Sequence, residues 1–176
     1  RQQSHKDLEL VLHTNEPSIY ERSLIKSFSQ SDLRLTHITD TPVIPLYTAW
    51  NKCIRHSTGE YIAIGNADDL RTEKSVQVMA QALDNDSSLD FVYGNFMTVS
   101  KFPSTKGHLV DVVDQQESLK RGMILGPFFM FRKIILEKTG LFDEQFKSGG
   151  DYDFAMRLAR VGKGICLSEN LGYYLD

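Results

Sequence analysis

The stretch Glu60-Tyr61-Ile62-Ala63-Ile64-Gly65-Asn66-Ala67-Asp68-Asp69-Leu70 decides how the chain is read, because an apolar run stops there at two adjacent carboxylates. Tyr61, Ile62, Ala63 and Ile64 form a short, nearly unbroken apolar segment, the pattern of a parallel strand covered on both faces. The carboxylates then stand at its carboxyl end, the edge where open α/β sheets bind ligands, and a helix is expected to start just beyond them. Paired hard oxygens suit Mg²⁺ or Mn²⁺, ions that keep open positions for water and substrate phosphates. Asp68 or Asp69 could equally be a helix N-cap or a turn residue, and the pair alone does not choose between these roles.

Working outward toward the N-terminus, Leu46, Ala49, Trp50, Cys53 and Ile54 share one face of a helix that ends before Gly59. Ahead of it, residues 8–13 and 33–38 read as strands and residues 20–29 as a helix with a weak Leu24, Ile25, Phe28 stripe. Toward the C-terminus, Val76, Met79, Ala80 and Leu83 repeat the helical spacing, with Thr72 as expected N-cap and Glu73 complementing the positive helix end. Residues 90–99 form a strand, and 100–107, with Pro103 and Gly107, a polar loop and candidate lid. Residues 126–132 make an aromatic strand and 133–139 a short helix stopping at Gly140. Strands alternating with helices in this order predict an α/β domain with a mainly parallel sheet. Residues 1–176 carry no repeat and no second domain in this reading.

Composition narrows the partners. The 176 residues are 41% hydrophobic, enough for a real core, and carry a net charge of −3 with scattered basic residues. That balance gives no footprint for nucleic acid. No apolar run reaches the ~20 residues that a membrane helix needs, so any membrane attachment is expected outside this stretch. Cys53 and Cys166 are unclustered, which argues against a disulfide framework or zinc site and for a reduced, cytoplasmic setting. His5, His13, His37, His56 and His108 show no ligand spacing and read as surface or satisfied core residues.

A second acidic constellation follows near the C-terminus: Phe142-Asp143-Glu144-Gln145-Phe146, then Ser148-Gly149-Gly150-Asp151-Tyr152-Asp153-Phe154. The glycines allow unusual dihedrals or close approach of a ligand, and Asp151 stands where a helix carrying Phe154, Leu158 and Val161 begins. A carboxylate there could take a proton from a substrate hydroxyl. Ser148 with Asp151 three residues on also resembles a capping box, which needs no chemistry.

Taken together, Trp50-Asn51, Ser57-Thr58-Gly59-Glu60-Tyr61-Ile62-Ala63, Ala67-Asp68-Asp69, Tyr93-Gly94-Asn95, Gly140-Leu141-Phe142-Asp143-Glu144 and Gly150-Asp151-Tyr152-Asp153 through Arg157-Leu158 resemble family 2 glycosyltransferases of the GT-A fold. The blocks occur in the family's order and cover the chain from about Leu8 onward. The resemblance implies a Rossmann-like sheet flanked by helices, and a nucleotide-sugar donor whose sugar passes to a saccharide or other hydroxyl acceptor with inversion, in a setting such as polysaccharide biosynthesis. Ala67-Asp68-Asp69 would be the DXD-type motif, with Asp69 the main ligand of Mg²⁺ or Mn²⁺ and Asp68 on the ribose or assisting the metal. Asp151 would be the catalytic base. Asn51, at a position that faces the nucleotide in the family, and Asn66, where many members carry the motif's first acid, would complete the donor side. Weaker candidates are Arg157 for a phosphate, or for an ion pair with Asp153, and Tyr93 and Asn95 for the acceptor side; Trp50 and residues 128–131 read as core.

Three departures limit what carries over. The family's first strand would precede Arg1, so the chain reads as a fragment whose neighbouring strand edges need cover from another chain, as in a homo-oligomer, or from a rearranged edge. Thr14-Asn15-Glu16 replace a turn whose acid reads the nucleotide base, and Asn66 replaces an acid. A degenerate GT-A-like domain acting as a binding or assembly module is therefore the rival expectation. A Mg²⁺-dependent phosphotransferase would explain Asp68 and Asp69 but give Gly150-Asp151 no role.

Overall fold

The alternation of strands and helices is realised in a computed structural model that describes residues 3–102, 106–112 and 125–176. The described residues cluster into two compact units. Arg1–Lys6, Glu60–Gly140 and Phe154–Asp176 form one, and Asp7–Gly59 with Leu141–Asp153 the other. Among the described residues no helix is long and apolar enough to cross a membrane.

The smaller unit is built on two parallel strands, β1 (Leu10–Asn15) and β2 (Leu35–Asp40), paired from Leu10↔Leu35 to Asn15↔Asp40. Between them runs α1 (Ile19–Ser31), started by a capping box in which Ser18 Oγ accepts from Glu21 N–H and the Glu21 carboxylate accepts from Ser18 N–H. Helix α2 (Leu46–His56) follows. Its buried residues are Tyr47, Ala49, Asn51 and Ile54, whereas Leu46, expected on the apolar face, is exposed. The buried stripe is turned because Tyr47 and Trp50 pack on Phe142, at ring distances of 6.0 and 5.1 Å.

The larger unit contains β3 (Tyr61–Ala63), β4 (Leu70–Arg71), α3 (Ser75–Asn85), β5 (Phe91–Val99), β6 (His108–Val110), β7 (Phe129–Arg132), a 3₁₀ turn at Lys133–Ile135, and α4 (Leu136–Thr139). Helix α5 (Gly150–Val161) enters this unit at Phe154 and leads to β8 (Gly164–Leu175). The sheet order is β3-β7-β5-β8-β4, with β6 beside β5. Strands β3, β5 and β8 point the same way, as a GT-A-like α/β fold requires, but the expected mainly parallel sheet is corrected in one respect. The aromatic strand β7 wedges antiparallel between β3 and β5, and β4 and β6 are antiparallel as well, so β5 and β8 are the one parallel pair among the described residues of this sheet.

Both faces of β5 and β7 are apolar, which fixes them at the centre. Val92 and Met130, a register pair, face Met79, Ala80 and Leu83 of α3 together with Phe128 and Leu171. On the opposite face Phe91 pairs with Phe131, whose ring lies 5.2 Å from Phe154 of α5. Side chains of this size each contribute about 1.5–3 kcal/mol by leaving water. Helix α3 begins later than expected: Lys74 occupies the N-cap position, Thr72 Oγ1 instead donates to the Asn170 carbonyl, and Glu73 precedes the helix. Of the predicted loop at 100–107, residues 103–105, including Pro103, lie outside the described residues.

Strand order places a constraint on the acidic stretch. Because β3 and β4 stand at opposite ends of the strand order, the chain from Ala63 to Leu70 must cross from one margin of the sheet to the other. Four strand spacings amount to about 19 Å, and seven Cα steps reach at most about 25 Å. Little slack remains, so the loop takes a direct path from one margin of the sheet to the other. Replacing the central ring, Phe131→Ala, should destabilise the chain by about 3–5 kcal/mol in urea denaturation; a cost below 1 kcal/mol would place the core elsewhere.

Candidate functional site

The acidic loop runs from Ile64 to Asp69 and contains no helix. Neither Asp68 nor Asp69 is an N-cap, since α3 starts at Ser75 and β4 intervenes; the expected helix start after the carboxylates is corrected accordingly. One half-buried side chain, Arg71, fastens the loop's beginning to its end: Nη2 donates to the Ile64 carbonyl, Nη1 to Ser75 Oγ at 3.3 Å, and the guanidinium lies 5.3 Å above the Phe128 ring. Burial lowers its pKa to about 10, against the pull of the Asp69 charge.

Asp69 is half-buried and Asp68 exposed. Asp69 Oδ2 accepts from Asn66 Nδ2 at 3.2 Å, while Oδ1 is buried and has no hydrogen-bond partner. Burial pushes the Asp69 carboxyl above the usual carboxylate range; the Asn66 bond pulls it down, the Asp68 charge raises it, and a backbone bond from Leu175 and the Arg71 charge lower it. A buried carboxylate oxygen with unfilled lone pairs, next to a second acid, fits a hard cation. Among the described residues no three His, Cys, Asp or Glu side chains come together as metal ligands, so such an ion would draw its other ligands from water or substrate oxygens.

The second candidate lies in the smaller unit, at the start of α5. Gly149 turns the chain with φ +76°, a value that side-chain-bearing residues rarely adopt. Gly150 is required for another reason: a Cβ there would come within 2.6 Å of the Tyr47 ring. What approaches this glycine so closely is therefore Tyr47. Its hydroxyl accepts the Gly150 N–H at 2.9 Å and donates to Asp151 Oδ1 at 3.3 Å. Burial, then the Asp151 charge, raise the Tyr47 pKa, so the phenol stays protonated and remains a donor. Asp151 is half-buried in the first turn of α5.

Asn51 does not face open space. Nδ2 donates to the Phe142 carbonyl at 2.8 Å and to Glu144 Oε1 at 2.9 Å, and Oδ1 accepts the Phe142 N–H at 3.0 Å. Both amide hydrogens are engaged within the 141–144 segment, which Asn51 clamps. Glu144 also accepts from Thr48, and the Asn51 and Thr48 bonds hold its carboxyl below the usual range. Asn15 makes a similar two-bond pairing with the Ile44 backbone.

Other candidates resolve as structural. Arg157 donates to the Thr139 carbonyl and lies over the Phe154 ring. Tyr93 is fully buried, and Asn95 bridges Ser168 O and Val112 N–H where the β5–β8 register shifts. Trp50 packs on Tyr47 and Phe142, and residues 128–131 are core. His13 is satisfied by Asp40, which Lys52 also binds. Sequence reasoning missed Tyr47; the signal available was a large polar-tipped aromatic one residue beside the assumed helix stripe.

A family model described as Glycosyl transferase family 2 matches residues 1–143. The chain belongs to that family. The match includes Asn51, Asn66, Asp68 and Asp69 and stops short of Asp151. An uncharacterized glycosyltransferase of Methanocaldococcus jannaschii is 24% identical over 163 residues, covering 88% of this chain and 55% of that protein. The chain thus spans about half the length of the curated relative. Among solved structures, Staphylococcus aureus TarS 1–349 aligns with a TM-score of 0.74 at 18% identity, over 99% of this chain and 53% of the other. The mannosyltransferase PcManGT from Pyrobaculum calidifontis, in complex with GDP-Man and Mn²⁺, aligns with 0.71 at 19%, over 98% and 49%. These likenesses identify the fold as GT-A-like.

The raised Asp69 pKa makes a stability prediction. A carboxyl that holds its proton more tightly when folded costs nothing below its unfolded pKa, about 3.9, and destabilises the fold as pH rises through the folded value. In EDTA at pH 7, Asp69→Asn should therefore raise the melting temperature, and the gain should vanish near pH 3; thermal scans at both pH values provide the check.

Proposed function

We propose that this domain transfers a sugar from a nucleotide-sugar donor to an acceptor hydroxyl, with inversion at the anomeric carbon and with a divalent cation. The observation that carries this reading is Asp69 Oδ1, a buried acidic oxygen without a hydrogen-bond partner in the loop that links β3 to β4. Family membership supports the reaction class, and the relative whose structure was solved with GDP-Man and Mn²⁺ supports this type of donor and ion.

In this mechanism Asp151 is the base. Tyr47 occupies Oδ1, which leaves Oδ2 to receive the proton of the acceptor hydroxyl. The hydroxyl oxygen forms its bond to the anomeric carbon from the face opposite the diphosphate, and the bond to the diphosphate oxygen breaks with its electron pair leaving on the phosphate. Asp69, with Asp68 beside it, would hold Mg²⁺ or Mn²⁺, which supplies positive charge to stabilise the departing diphosphate. Asn66 orients Asp69 through its 3.2 Å hydrogen bond and, with Asp68, is assigned to the donor side. Asn51 acts by holding Phe142 and Glu144. Positioning and charge stabilisation, rather than strong basicity, supply most of the rate.

A second reading, a binding module of the same fold, is favoured by Asn15 and Asn51, whose amides are spent on backbone. Calorimetric titration with GDP-mannose and UDP-sugars, with and without Mn²⁺, separates the two when paired with turnover. Transfer predicts metal-dependent donor binding that Asp69→Asn abolishes; equal affinity in that variant would refute the metal assignment. Asp151→Asn should keep donor affinity and lower turnover by about 10²–10⁴-fold, and retained turnover would refute the base. Donor binding without any turnover would favour the module.

A further inference from the structure

We propose that Tyr47 is a positioning residue for Asp151, and that Gly150 is glycine in order to admit it. The proposal rests on the reading of Asp151 as base and deepens it. Tyr47 is buried, and its ring is fixed by Phe142, nearly parallel at 6.0 Å and 13°, and by Trp50, edge-on at 5.5 Å. With the ring immobile, its hydroxyl has one place to go. It accepts the Gly150 N–H and turns its own proton to Asp151 Oδ1. The phenol thereby joins the first backbone donor of α5 to the carboxylate one residue on. This selects one carboxylate oxygen for the protein and the other for the acceptor. A methyl group at Gly150 would occupy the space of the ring, coming within 2.9 Å of Cε2, Cζ and Cδ2 alike. Asn51 supports the arrangement from the same helix by clamping both backbone groups of Phe142, the residue on which Tyr47 stacks.

The coupling is read first in the free protein. With tyrosines labelled at Cζ, the Tyr47 resonance is assigned by its loss in Tyr47→Phe. At pH 7 it should move in Asp151→Asn and again in Gly150→Ala, because the first removes the anionic acceptor and the second displaces the ring. A Tyr47 signal unchanged in Asp151→Asn would overturn the proposal, whatever the outcome for the reaction.

Kinetics then tests the role. Tyr47→Phe keeps the ring and its packing, and should lower kcat on the order of tenfold with donor KM unchanged, the expected size for one hydrogen bond to a charged group. In an Asp151→Asn background the same change should have no further effect on kcat, since the two act as a unit. A loss expressed in KM, or a full additional loss in the double variant, would assign Tyr47 to packing alone. If Asp151→Asn itself retains turnover, the base reading fails, while the resonance shift still reports the contact; the two failures are thus distinguishable.

Discussion

The position of β7 is the constraint on which the larger unit depends. A four-residue aromatic strand, buried on both faces, inserts between β3 and β5 and pushes β3 to one margin of the sheet, while β8 carries β4 to the other. The chain linking those margins has too few residues to wander, so its acids are held on a direct path between them. Hydrophobic burial thus sets the location of the polar loop. Arg71 completes it by tying Ile64 to β4, at the cost of a buried guanidinium that is offset by the Phe128 ring, Ser75 and the nearby Asp69 charge.

Much of this architecture was legible in the residues. The apolar runs at 61–64, 90–99 and 126–132 became β3, β5 and β7, because continuous apolar sequence is what a two-sided burial demands. The Met79, Ala80, Leu83 stripe became the buried face of α3 for the same reason. The direction of β7 was not legible, since side-chain pattern is blind to whether a strand runs with or against its neighbour. β8 escaped notice because Ser168, Glu169 and Asn170 interrupt its apolar pattern. Those residues sit where its pairing with β5 shifts register, and the Asn95 amide bonds Ser168 O there in place of a regular ladder.

The acids at positions 68, 69 and 151 were visible as chemistry, but their surroundings were not. Distance along the chain hid the partner of Asp151, which lies 104 residues earlier on α2. Periodicity also misplaced the helix face that carries it. The stripe through Leu46, Ala49, Trp50, Cys53 and Ile54 shares Ala49 and Ile54 with the buried set but has Leu46 and Trp50 where that set has Tyr47 and Asn51, each one residue, or about 100°, further on. Propensity cannot choose between them; the aromatic layer formed with Phe142 does.

Hydrogen-bond capacity separates structural polar groups from chemical ones more sharply than motif position does. Asn15, Asn51 and Asn95 each spend both donor and acceptor on main-chain groups that have no ladder partner there, a use in which the amide imitates a peptide bond. Removing the Asn51 or Asn95 side chain would strand backbone N–H and C=O groups away from water, which accounts for both without any ligand. Asp69 Oδ1 is the opposite case among the described residues: desolvated and unpaired. Leaving a carboxylate in that condition opposes folding, and the Asn66 bond, the Leu175 backbone bond and the Arg71 charge offset it only in part. A bound cation would remove the penalty, and the fold retains the acid in a loop that Arg71 prevents from turning outward to water. Asp151 is a milder case, a half-buried carboxylate whose Oδ1 is engaged by Tyr47. Unfilled valence at a fixed position is what separates Asp69 from the three asparagines.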